Sequence, residues 1–186
     1  PFLLNFNKQK GTDLVVAANA VVQPMGLYSN KIHSLDDIKA DTKIAIPNDP
    51  SNGGRALVLL EKAGIIKLKP DYKGEASIHD VAENPRGVKL VELEAAQLPI
   101  SLQDLDVACV PMNYAVSGGL DVNKQGFYFE SRDAKYALII IAARPDNVQS
   151  PEVQTFVKCY QSPEVAAFIK EKFKGQINPA WEQPAK

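Results

Sequence analysis

The sequence predicts an α/β fold, and three features of its pattern support this prediction. Short apolar runs typical of strands alternate along the chain with segments of helical periodicity. The clearest unit, residues 43–69, reads as a strand, a polar turn and an amphipathic helix. Two later segments begin with Pro151 and Pro163, and proline favours the first turn of a helix. Strands that alternate with helices favour βαβ units, so a mostly parallel sheet is expected.

Length and composition limit the classes of function. A chain of 186 residues can bury a sizeable core in one domain or in two small ones. Its 45% apolar and 23% charged residues are ordinary for a globular protein. The net charge of −1 argues against a nucleic-acid partner. With only His33 and His79 available, neither a metal site nor a cofactor is expected.

The first part of the chain predicts a helix over residues 2–10 and a strand over 13–22. A short extended segment follows at 27–29. Ser34 then opens a short helix, because Asp37 stands at the spacing of a capping box.

The polar turn at residues 47–54 separates an apolar strand from an amphipathic helix that ends at Gly64. Backbone N–H groups at a helix N-terminus lack partners, and the helix dipole favours an anion there. Arg55 adds a planar, permanently charged fork suited to a carboxylate or phosphate. The simpler interpretation is that the polar side chains of the turn only cap the helix and that Arg55 is a solvated surface charge. Those side chains are Asn48, Asp49, Ser51 and Asn52.

The rest of the chain continues the alternation of strands and helices. The predicted elements are a helix at 78–83, strands at 88–93 and 107–110, a helix at 102–105 capped by Ser101, strands at 126–130 and 136–143, and helices at 151–160 and 163–174. The strand at 136–143 is almost continuously apolar, which is typical of a central strand. Cys109 and Cys159 are expected to be buried, unpaired thiols.

The segment PNDPSNGGRALVLLEKAGIIKLK resembles the signature of the methionine-binding lipoproteins, the NlpA or MetQ family, which are substrate-binding proteins of ABC importers. Residues 1–39 and 83–110 resemble the family segments on either side. The resemblance implies a two-lobed, periplasmic-binding-protein-like (type II) fold without enzymatic activity. The first lobe would comprise residues 1–38 and 111–186, with its N-terminal part missing, and the second lobe residues 39–110.

The resemblance also implies a site for methionine or a related amino acid between two lobes. Arg55 matches the family arginine that pairs with the ligand carboxylate, and Asn52 matches the asparagine that supports it. Phe2 takes the place of an aromatic residue that helps to enclose the thioether side chain.

Two positions depart from the family pattern. Pro111 and Leu138 stand where the family commonly has asparagines that hold the ammonium end of the ligand. Pro111 cannot donate a hydrogen bond from its backbone or its side chain. Asn113 is the nearest substitute and is included in the expected site.

The resemblance implies the membrane subunits of an ABC importer as partners and a periplasmic or cell-surface location, with a lipid anchor in the full-length protein. An isolated fragment of this kind is expected to be poorly soluble or to dimerise through an unpaired sheet edge. Two rival functions are also compatible with the sequence. One is an enzyme that uses Asp49 or His79, although no nucleophile elbow, GxGxxG or metal-spaced cluster is present. The other is a family member that lost or changed its ligand and acts as a non-transport surface lipoprotein.

Overall fold

Helices and strands alternate through residues 2–131 and 136–182, which are the residues that the computed structural model describes. The strands are Val15–Val22 (β1), Met25–Tyr28 (β2), Lys43–Pro47 (β3), Lys67–Leu68 (β4), Val81–Glu83 (β5), Lys89–Leu93 (β6), Val107–Pro111 (β7), Gly126–Phe129 (β8), Leu138–Ala143 (β9) and Asn178–Pro179 (β10). The α-helices are Phe2–Lys10 (α1), Pro50–Lys62 (α2), Leu98–Ser101 (α3), Met112–Ser117 (α4), Val122–Gln125 (α5), Pro151–Tyr160 (α6) and Pro163–Phe173 (α7). Single 3-10 turns lie at Leu35–Asp37, Ile78–Asp80 and Ala95–Gln97.

The described residues form two compact units. The central unit comprises residues 25–131, and the terminal unit comprises residues 2–24 and 136–182. These boundaries differ from the expected ones at residues 38/39 and 110/111. Residues 25–38 and 111–131 belong to the central unit because β2 pairs with both β7 and β8.

The central unit is built on a five-stranded sheet with the order β6-β3-β7-β2-β8. Strand β3 is parallel to both β6 and β7, whereas β2 is antiparallel to both β7 and β8. The expectation of a mostly parallel sheet was therefore wrong for half of these pairings. The physical reason is that a single 3-10 turn and no α-helix lies between β2 and β3, so β2 does not open a βαβ unit.

One apolar core holds the central unit together. Ile44 and Ile46 of β3 are fully buried, and they belong to the same cluster as Leu57 and Leu60 of α2. The spacing of Leu57 and Leu60 gives α2 an apolar face toward the sheet, as the amphipathic pattern predicted. Burial of each such side chain contributes about 1.5–3 kcal/mol, so this face stabilises the position of α2 on the sheet.

The terminal unit contains an antiparallel sheet with the order β10-β1-β9. Helices α6 and α7 begin at Pro151 and Pro163, as predicted, because Ser150 and Ser162 accept hydrogen bonds from the N–H groups of the first turns. The expectation that residues 136–143 form a central strand was wrong for the described residues. There β9 lies at the edge of the sheet, and Leu138 and Ile139 are exposed.

Two further predictions of local structure were wrong. The helix expected at 78–83 is one 3-10 turn followed by β5, because Ser77 and Asp80 close a capping box around a single turn and Val81 pairs with Leu68. The helix expected at 102–105 is replaced by α3, which ends at Ser101. The Ser101 hydroxyl donates to the carbonyl of Leu98 instead of capping a following helix. Helix α4 was not predicted at all.

Candidate functional site

The carboxyl ends of the parallel strands meet at one edge of the central sheet. Strands β3 and β7 end at Pro47 and Pro111, and helices α2 and α4 begin directly after them, at Pro50 and Met112. Strand β8 runs in the same direction as β7, since both are antiparallel to β2. Its end, and Glu130 after it, therefore lie at this edge too. In open α/β sheets, ligands bind outside the carboxyl ends of the strands.

Helix α2 starts with a well-defined cap. Asp49 adopts an extended conformation and accepts a hydrogen bond from the Asn52 N–H at 2.9 Å. The Asn52 side-chain amide also donates to Asp49, at 3.2 Å to Oδ1 and 3.1 Å to Oδ2. The Asn48 N–H donates to the carbonyl of Leu93 at the end of β6. These bonds fix the turn and the first residues of α2 on the sheet edge.

Two glycines allow α2 to lie this close to its neighbours. A Cβ atom on Gly53 would lie 2.7 Å from the carbonyl oxygen of Pro47. A Cβ atom on Gly54 would lie 2.9 Å from the carbonyl oxygen of Ala76. Real Cβ atoms do not approach backbone oxygens so closely, so Gly53 sets how deeply α2 sits against the end of β3, and Gly54 sets how closely α2 approaches Ala76.

Arg55 is buried and paired with an acidic residue from another part of the chain. Its Nε lies 3.0 Å from both Oε1 and Oε2 of Glu130, and its Nη2 lies 2.5 Å from Oε2. The side chains are only 7% and 6% exposed. The interpretation of Arg55 as a solvated surface charge was therefore wrong. A desolvated guanidinium needs a charged, geometrically matched partner, and the Glu130 carboxylate provides one.

Glu130 was missed by the sequence analysis. A signal for it was present, because this single acidic residue directly follows the aromatic strand segment GFYF. Its carboxylate is held from a second side by the Met25 N–H, which donates to Oε2 at 3.0 Å. The Glu130 N–H in turn donates to the carbonyl of Met25 at 2.9 Å. The counter-charge of Arg55 is thus fixed to the backbone at the start of β2.

The four predicted site residues are distributed over both units. Asn52 and Arg55 lie three residues apart on α2 of the central unit. Asn113 also lies in the central unit, in the first turn of α4, and it is exposed. Phe2 lies on α1 of the terminal unit, 68% exposed, with its ring stacked on Phe6.

The two departures from the family pattern also have defined positions. Pro111 is buried at the end of β7, opposite Met25 in the neighbouring strand. Leu138 is the first residue of β9 and is 37% exposed.

The two cysteines differ in environment. Cys109 is buried in β7, and burial raises the pKa of its thiol far above the usual value. Cys159 is exposed on α6, so the expectation that both thiols are buried was wrong for this residue.

Along residues 2–131 and 136–182, no three His, Cys, Asp or Glu side chains are grouped so that they could hold a metal ion. Over the same ranges, no helix has the length and apolarity needed to cross a membrane.

Comparison with known proteins gives consistent matches over nearly the whole chain. The D-methionine-binding lipoprotein MetQ of Escherichia coli O157:H7 is 42% identical over 183 residues, which are 97% of this chain and 67% of that protein. A nutrient-binding protein from Burkholderia cenocepacia, solved bound to methionine, is 44% identical with a TM-score of 0.90, over 97% of this chain and 76% of that one. A periplasmic substrate-binding protein of an ABC transporter from Coxiella burnetii is 40% identical with a TM-score of 0.88, over 97% and 75% of the two chains.

These likenesses confirm the expected fold class and the resemblance found in the sequence. The chain has the α/β fold of the substrate-binding proteins that it resembles. It spans about two-thirds of the length of the MetQ relatives that it matches. The family model described as NlpA lipoprotein matches residues 1–181. The chain therefore belongs to the NlpA lipoprotein family.

Proposed function

We propose that this chain is the substrate-binding component of an ABC importer and that it binds methionine or a closely related amino acid without changing it chemically. The observation that carries the proposal is the buried, oriented guanidinium of Arg55 at the carboxyl edge of the central sheet. It occurs in a chain 44% identical to a protein solved with methionine bound.

The chemistry of this edge suits the carboxylate of an amino acid. A planar guanidinium recognises a carboxylate through paired N–H donors. The start of α2 and the start of α4 add two helix N-termini at the same edge, although only α2 is long enough for its dipole to matter. We assign the ligand carboxylate to Arg55 and the support of this contact to Asn52. Phe2 and Asn113 are the further residues that we propose to contact the ligand.

The names of the relatives support a location. Several of them are named lipoproteins, and one is named outer membrane lipoprotein 3 of Mannheimia haemolytica. We propose that the protein is lipid-anchored at the periplasmic or cell-surface side of a membrane. There it would deliver its ligand to the membrane subunits of an importer.

A second function is favoured by one specific observation. Pro111 is buried at the end of β7, in the position where the family pattern has a ligand-contacting asparagine. A buried proline offers no donor, so the ammonium end of the ligand would be held differently. The alternative is therefore a family member that lost or changed its ligand and acts as a non-transport surface lipoprotein.

Calorimetric titration with a panel of amino acids tests the proposal and separates it from the alternative. The proposed function predicts saturable, stoichiometric binding of L- or D-methionine and no chemical change in the recovered ligand. Absence of binding across the panel would favour the alternative, and a converted ligand would show that the chain is an enzyme.

A further inference from the structure

We infer that Glu130 is the positioning residue of the binding site: it orients the Arg55 guanidinium so that the ligand carboxylate meets a fixed set of N–H donors. This inference rests on the proposed function and extends it to a residue that the sequence analysis did not find. Glu130 would act through Arg55 and would not need to contact the ligand.

The Glu130 carboxylate accepts hydrogen bonds along one edge of the Arg55 guanidinium. Both Oε atoms of Glu130 lie 3.0 Å from Arg55 Nε, and Oε2 also lies 2.5 Å from Nη2. An acceptor bound to Nε and Nη2 together fixes both the plane of the guanidinium and its rotation within that plane. A single N–H···O contact to the guanidinium would leave that rotation undefined.

Glu130 is itself fixed by the backbone around it. It follows the last residue of β8, and its N–H and its carboxylate both bond to Met25 at the start of β2. These are also places where the chain leaves the central unit, because residues before Met25 and after Ser131 belong to the terminal unit. Because Glu130 is bonded to the backbone of the sheet, the orientation of Arg55 is fixed relative to the central sheet.

Charge also favours this role. A lone buried guanidinium would attract any small anion, whereas the buried Arg55–Glu130 pair is neutral as a whole. An amino acid zwitterion is likewise neutral as a whole. A prealigned, charge-compensated arginine thus suits a zwitterion better than it suits a simple anion. The binding free energy then comes from directed hydrogen bonds and not from attraction between net charges.

The test uses the isosteric change Glu130→Gln, which keeps the shape and an acceptor for the Met25 N–H but removes the charge. The matched control is Glu83→Gln, which removes an exposed glutamate paired with Lys67 in the same unit. Methionine affinity is measured for the parent, both single variants, Arg55→Lys, and Arg55→Lys combined with Glu130→Gln. In parallel, the Arg55 Nε–H signal is followed by ¹⁵N–¹H NMR and assigned by its loss in Arg55→Lys.

Glu130→Gln is expected to weaken methionine binding roughly 10- to 100-fold, the cost of misplacing a binding group. It should also shift the Arg55 Nε–H signal and speed its exchange with water, whereas Glu83→Gln should change neither. In the Arg55→Lys background, Glu130→Gln should cause little further loss, because Glu130 acts through Arg55. Equal losses in both backgrounds would assign Glu130 a merely structural role and overturn the inference. Unchanged affinity in Glu130→Gln alone would also overturn it, whereas a parent that binds no amino acid would overturn the proposed function itself.

Discussion

The guanidinium of Arg55 and the carboxylate of Glu130 form a buried, multiply hydrogen-bonded ion pair at the edge where the parallel strands of the central sheet end. The two residues are 75 positions apart in sequence. Removing one partner of such a pair leaves a buried charge without compensation and costs about 3–5 kcal/mol. The pair is weak evidence for stability in itself, but it defines where a ligand carboxylate would find an oriented cation.

The close approach of α2 to β3 predicts that Gly53→Ala is destabilising. An alanine in an ordinary helix would gain up to about 1 kcal/mol over glycine. Here its Cβ would lie 2.7 Å from the carbonyl oxygen of Pro47, which cannot rotate away. We expect a net loss of about 1–3 kcal/mol in the free energy of unfolding, measured in urea. Lys62→Ala, on an exposed position of the same helix, is the control. A Gly53→Ala variant as stable as the parent would show that α2 can shift freely.

The environments of the two cysteines predict different reactivities. Cys159 is exposed, whereas Cys109 lies fully buried in β7 with a raised pKa. Reaction with a thiol-specific disulfide reagent should therefore modify one thiol rapidly in the folded protein and the second only in denaturant. Cys159→Ser should abolish the rapid phase. Rapid modification of two thiols under native conditions would mean that β7 opens readily.

The exposed edge of the terminal unit predicts self-association of the 186-residue chain. In the described residues β9 pairs only with β1, and Ile139 and Val16 are exposed at 39% and 53%. Unprotected edges and apolar surface favour edge-to-edge pairing. We expect dimers or larger species by light scattering, and we expect Ile139→Lys to shift the population toward monomer. Ile78→Lys, at an exposed isoleucine of the central unit, should not shift this population. A parent that is monomeric at all concentrations would rule out the association.

The two departures from the family pattern predict a gain of affinity on reversal. If the chain binds methionine, Pro111→Asn combined with Leu138→Asn should tighten binding, because two amides become available for the ammonium end. The measurement is methionine titration of the parent, both single variants and the double variant. Tight binding by the parent that stays unchanged in the double variant would show that these two positions do not affect methionine affinity.

The sequence was sufficient for the features that depend on local chemistry. The helix N-terminus at Asp49, the turn at residues 47–54 and the proline-initiated helices α6 and α7 all follow from capping and backbone preferences. The antiparallel placement of β2 was not predictable in this way, because strand direction is decided by partners distant in the chain. Glu130 was missed for the same reason. Its role depends on a contact across 75 residues, which leaves only a lone acid at a strand end as a local signal.

Calorimetric titration of the parent, Arg55→Lys and Arg55→Ala with methionine shows whether Arg55 holds the carboxylate of a bound amino acid. We expect saturable binding by the parent and a loss of about 2–5 kcal/mol of binding free energy in Arg55→Ala, the cost of truncating one partner of a buried charged contact. Arg55→Lys should recover little of this loss, because an ammonium cannot reproduce the fork. Glu83→Gln serves as the control for changes elsewhere in the central unit. Methionine binding in Arg55→Ala with the affinity of the parent would show that Arg55 does not hold the ligand carboxylate.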